Sequence, residues 1–109
     1  MNIKNVKRIL DAEGIWYSSI SENSDVCIEE VTTIPQMCAD MPKKLFVLTS
    51  GNIKEAEESV EDWGNFTNVL FDCGLSKKYL RKLPAVNLIL VGKTDIGRAI
   101  GALNEAMRH

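Results

Sequence analysis

Hydrophobic positions along this chain fall into two patterns, and the alternation between them predicts the fold. Three short apolar runs, each closing on glycine, mark the second half: Leu45–Gly51, Val69–Gly74 and Val86–Gly92. Runs that are apolar at consecutive positions fit strands buried on both faces. Between and after them, apolar residues recur at three- and four-residue spacing, the period of a helix with one buried side. Ile53, Ala56, Val60 and Trp63 make such a stripe on a helix expected from an Asn52 cap to Gly64. Tyr79, Leu80 and Leu83 mark a short helix capped by Ser76 and ended by Pro84. Ile96, Ala99, Ile100, Leu103 and Met107 share one face of a last helix, starting near Thr94 or Asp95. Strands that alternate with helices predict an α/β fold with parallel central strands.

The first half is less regular. Ile3, Val6, Ile9 and Leu10 form the buried stripe of an opening helix, with Asn2 or Asn5 as cap and Gly14 just past its end. Residues Ile15–Ile20 have strand composition, and Ser21–Asp25 is a polar turn. Val26–Thr32 begins by alternating and then places two glutamates in succession, as a peripheral strand would. A short helix is expected from Pro35 to Asp40, ended by Pro42. The expectation is one α/β domain over residues 1–109. It is a three-layer sandwich, a largely parallel sheet of about five strands with helices on both faces. Gly97 and Gly101, four apart on the last helix, predict close approach to the sheet or to a partner, because glycine there is otherwise costly.

Composition narrows the function. With 45% hydrophobic and 26% charged residues, the 109-residue chain is a folded domain with a substantial core. Its net charge of −2 and pI near 5.4 argue against nucleic acid as a partner. Lys77, Lys78, Arg81 and Lys82 read as a solvated face, and Glu55, Glu57, Glu58, Glu61 and Asp62 as a solubilising surface. No apolar stretch reaches the length of a membrane span, and the N-terminus lacks a secretory core, so a cytoplasmic protein without membrane contact is expected. Cys27, Cys38 and Cys73 are odd in number and unpaired in spacing. The one histidine is His109, which argues against a histidine-based metal site or triad. No catalytic residue, metal or cofactor is expected.

Val91-Gly92-Lys93-Thr94 has the ending of a P-loop, but the glycine needed five positions before Gly92 is Asn87. What remains is either an anion site, in which Lys93 joins amides near Thr94, or an ordinary strand-to-helix turn. Ser50, Gly51 and Asn52 follow one central strand and Asp72-Cys73-Gly74 the next. Ligands of open α/β sheets bind at such carboxyl ends. Equally, Gly51 allows a tight turn and Asn52 caps a helix, while Cys73 reads as a buried structural thiol. The candidate ligand-binding set is therefore Ser50, Gly51, Asn52, Asp72, Gly92, Lys93 and Thr94, for a small anionic or nucleotide-type ligand.

Ile28-Glu29-Glu30-Val31, the run Leu45–Gly51 and the stretch Ile89–Ile100 together resemble the N-terminal domain of MurE- and MurF-type muramyl ligases. They equally resemble the related HPr kinase N-domain and the DRTGG regulatory domain. The ligases' Asp-Ser-Arg motif for the UDP-sugar is missing, since Thr32–Met37 stands in its place. The Asp-Arg-Thr-Gly-Gly signature is missing too. The resemblance implies a non-catalytic α/β module with a regulatory or accessory role, binding a small ligand, a protein partner or a second copy. The alternative is the substrate-recognition domain of an amide ligase whose ATP-binding domain lies outside this chain. A third reading, a small enzyme with Cys73 as nucleophile, lacks a base among its neighbours in sequence.

Overall fold

The computed structural model describes residues 1–34 and 39–108. Helix α1 (Ile3–Ala12) starts with reciprocal caps: Asn5 N–H donates to Asn2 Oδ1 at 3.1 Å, and Asn2 N–H to Asn5 Oδ1 at 2.9 Å. It ends at Gly14, whose φ of 67° lies in the left-handed region. Gly14 N–H donates to Asp11 O and Ile15 N–H to Leu10 O, which closes two otherwise orphaned carbonyls. Both ends thus follow the expected chemistry.

Five strands form one sheet: β1 (Tyr17–Ser21), β2 (Glu30–Thr32), β3 (Lys44–Leu48), β4 (Asn68–Asp72) and β5 (Asn87–Val91). Their spatial order is β1-β5-β4-β3-β2. β2 to β5 run parallel, and β1 lies antiparallel on β5, so the sheet is mixed. The reversal follows from the turn at Gly14, which takes the chain out of α1 into a strand whose Tyr17 faces Val91 at the carboxyl end of β5. From there β1 can only run back toward Leu88. The three glycine-terminated runs supply the three adjacent parallel strands β3, β4 and β5.

Alternation along these strands sends residues to two apolar layers. Leu45, Val47, Leu70, Ile89 and Val91 pack with Ile3, Val6 and Leu10 of α1 and with Ala99 and Leu103 of α4 (Ile96–Met107). On the other face, Phe46, Leu48, Val69, Phe71 and Leu88 pack with α2 (Ile53–Ser59), with Trp63 and Phe66, and with Leu83 beyond α3 (Lys77–Leu80). Phe46 and Phe66 stack at 4.3 Å between centroids.

Several elements are shorter than expected. The peripheral strand keeps only Glu30–Thr32, because Ile28 N–H is taken by Met1 O rather than by a strand. The helix expected to reach Gly64 stops at Ser59, and Val60 is already extended. Asp62 then caps a separate 3₁₀ turn, Trp63–Asn65, by accepting from Gly64 N–H at 2.9 Å. Trp63 is still buried, reached by the turn and not by the helical stripe. The helix expected over Pro35–Asp40 falls mostly on residues 35–38, outside the described residues; Ala39 and Asp40 form a turn into a 3₁₀ helix, Met41–Lys43, that contains Pro42. Gly97 and Gly101 are exposed, and a Cβ built on either would meet nothing within 4 Å. They do not serve an approach to the sheet.

Candidate functional site

The carboxyl ends of β3, β4 and β5 lie side by side, since Leu48 pairs with Phe71 and Asp72 with Val91. The topology thus gathers the three candidate loops on one rim. The second and third loops touch. Cys73 N–H donates to Val91 O at 2.9 Å, and the Lys93 stem passes so close to Gly74 that an added Cβ would sit 3.2 Å from Lys93 Cβ and Cδ. A side chain at 74 would need Asp72 Oδ1, 3.1 Å from that Cβ, and the Lys93 stem to give way by a few tenths of an ångström.

The candidate residues divide into committed and free. Asn52 is buried, and its side chain does not cap α2. It turns back instead, accepting from Thr49 N–H at 2.8 Å and donating to Val47 O at 2.6 Å and Thr33 O at 2.8 Å. Three backbone groups of two segments use its amide, which gives Asn52 a structural role in the turn. Asp72 is likewise buried, and its Oδ1 accepts from Gly74 N–H at 2.8 Å. Ser50, Gly51, Lys93 and Thr94 are exposed, and Gly92 is half-buried. Asp95 stands at the N-cap of α4 without a side-chain bond to the helix amides, because its carboxylate is paired with Arg98 at 3.1 Å. Arg98 also donates to Glu13 O at 2.6 Å, tying α4 to the end of α1.

Cys73 is exposed, contrary to its reading as a buried thiol: it lies in the turn just past the end of β4, with its N–H still bonded to Val91 O. Among the described residues, no three His, Cys, Asp or Glu side chains are placed to hold a metal ion, and no helix is long and apolar enough to cross a membrane.

Two features escaped the sequence reading. A groove of about 620 Å³ lies beside α2, floored by Val60 and Trp63 and edged by Glu57, Glu58, Glu61 and Lys82. Trp63 stacks on Tyr79 at 6.0 Å, and Lys82 Nζ stands 5.7 Å from the Trp63 ring and 5.9 Å from that of Tyr79. A hydrogen bond to the Glu57 carboxylate, with some burial, raises the Tyr79 phenol above its ordinary pKa. The signal was present in the lysines spaced around Tyr79, which cover aromatic rings as well as facing water. The second feature is a chain of amides at the opposite rim. Asn23 N–H donates to Asn87 Oδ1, Asn87 Nδ2 to Asn68 Oδ1 at 2.8 Å, and Asn68 Nδ2 to Pro42 O at 2.9 Å and Lys44 O at 3.1 Å. Asn68 and Asn87 are completely buried.

No protein-family model matches the chain, and no curated protein or solved structure matches it.

Proposed function

We propose that the chain is a non-catalytic binding module with a regulatory or accessory role. Its ligand is a small anionic molecule, such as a phosphorylated metabolite or nucleotide, held at the carboxyl rim of β3–β5. The observation that carries the reading is the placement of Lys93, whose stem lies on Gly74 between two adjacent strand ends while its residue stays exposed. The first-turn amides of α4 and the exposed Thr94 lie beside it in the chain, and Ser50 and Gly51 border the rim from β3. Asn52 and Asp72 hold the loops in shape and touch no ligand.

A thermal-shift screen with nucleotides, UDP-sugars and phosphorylated metabolites tests this. A ligand at a hundred times its dissociation constant stabilises by about 2.7 kcal/mol. Lys93→Ala should then weaken that ligand by about tenfold, in keeping with the loss of a charge-assisted contact, and leave the melting of the free protein unchanged. Unchanged affinity removes the rim as the site.

The second reading is the substrate-recognition domain of a muramyl-ligase-like enzyme. It is favoured by where the matching stretches fall: at β2, at β3 with its turn, and from β5 into α4. A P-loop domain encoded in the same reading frame beyond His109 would support it over the first.

A further inference from the structure

The sheet ends on two unlike edges. On one side is β2, three residues long, with exposed Glu30 paired to Lys44 at 3.1 Å. Shortness and charge both blunt such an edge. On the other side is β1, five residues long, and no residue from Ile15 to Ser21 is charged. Most of the large exposed apolar side chains fall on the same side, while Ile34 follows β2 at the other edge. The large apolar side chains exposed among the described residues are Trp16 (60%), Ile20 (58%), Ile34 (62%) and Val86 (42%). Trp16 precedes β1, Ile20 is in it, and Val86 precedes β5, on which β1 lies. Only one hydrogen-bonding edge of β1 is used, by β5.

We propose that β1 is an interface between two copies of this chain, paired edge to edge across a two-fold axis. Strands related by such an axis are antiparallel, and one patch serves both sides. Trp16 and Ile20 lie two positions either side of Ser18. A two-fold through Ser18 brings Trp16 of one copy beside Ile20 of the other, twice, with Trp16 just ahead of the paired strand and Ile20 at its register slip. Each is an aromatic against a β-branched side chain, a favourable cross-strand pair. Charge selects the occupant. A charged strand would meet its own charges across the axis, whereas this neutral strand does not, and it offers nothing to a partner chosen by opposite charge. The strand slips register between Ser19 and Ser21, which leaves Ile20 without a partner position on β5. Tyr17, Ser18 and Ser19 remain in regular register with Val91, Leu90 and Ile89, so the stretch around the axis stays straight. Pairing would join two five-stranded sheets into one. A single strand edge is short against the ~800 Å² per partner of a standard interface, so association should depend on concentration.

Sedimentation equilibrium of the full chain, from micromolar to millimolar concentration, tests this. The mass should rise from 12.2 kDa toward that of the dimer. Trp16→Lys and Ile20→Lys, both at exposed positions, should each weaken association by about tenfold or more while circular dichroism and melting stay as in the parent. Ser18→Cys, in a background with the three native cysteines changed to serine, should form a disulfide-linked dimer on mild oxidation. A monomer at every concentration overturns the proposal, and so does a dimer that survives both lysines.

Discussion

Asparagine does more of the internal bonding here than its ordinary surface preference suggests. Asn52, Asn68 and Asn87 are buried, and each side chain also reaches a backbone group outside the strand ladders: Thr33 O, Pro42 O and Asn23 N–H respectively. Nothing in the sequence marks these residues as different from asparagines in turns: Asn52 sits where a helix cap belongs, and Asn87 was informative only as the glycine a P-loop would need. Their partners are set by which backbone groups the fold leaves unpaired, and that is known only once the strands are adjacent. The structural roles imply a cost on removal. Asn87→Ala leaves Asn68 Oδ1 and Asn23 N–H without their partner, and a buried unpaired group costs about 1–3 kcal/mol. Urea unfolding should show a loss of that size. Combining it with Asn68→Ala should cost less than the two single losses together, because the shared bond is removed once. Strict additivity would mean that the two amides do not communicate.

Among the elements, those defined by strong periodicity and by local capping chemistry were legible. The three glycine-terminated runs became β3, β4 and β5, and α1 has the caps and the Gly14 ending its residues announce. The helix after β3 was not legible to its end, since Val60 and Trp63 continue the helical spacing after the helix has stopped. Apolar spacing is satisfied by burial, and a turn capped by Asp62 buries Trp63 as well as another helical turn would. Trp63→Ala should therefore cost about 3–5 kcal/mol in chemical denaturation, as for a buried aromatic, even though Trp63 is not on α2. A change near zero would place its ring outside the core. The expectation that Gly97 and Gly101 bring the helix close to the sheet failed for the opposite reason, because helical spacing does not say which face is buried. Both point into open space on α4, so Gly97→Ala and Gly101→Ala should each stabilise the protein by about 1 kcal/mol. A loss of stability in either would show that something packs against that face.

At the scale of the molecule, the sequence indicated a sheet covered on both faces but not the place or direction of β1. Its composition says strand; its neighbour is decided by the short turn from α1 and by the open edge of β5, both properties of the assembled fold. The candidate rim was legible in the same measure. The topology does bring its loops together, and hydrogen bonding within the turns gives Asn52 and Asp72 structural partners that the sequence did not indicate. The strand order also predicts how stability is distributed. β4 is central, paired on both edges, and every one of its residues is buried, whereas β1 and β2 are each paired on one edge and largely uncovered. Opening β4 requires breaking both apolar layers, so its amides should exchange only through global unfolding, while β2 opens locally. Hydrogen exchange on dilute protein should therefore rank β4 slowest, β3 and β5 next, and β2 fastest among the strands. Destabilisation by Trp63→Ala should speed β4 by the full change in global stability and leave β2 almost unaffected. Exchange from β2 as slow as from β4 would contradict the strand order, because an edge of three residues cannot be protected by pairing on one side alone.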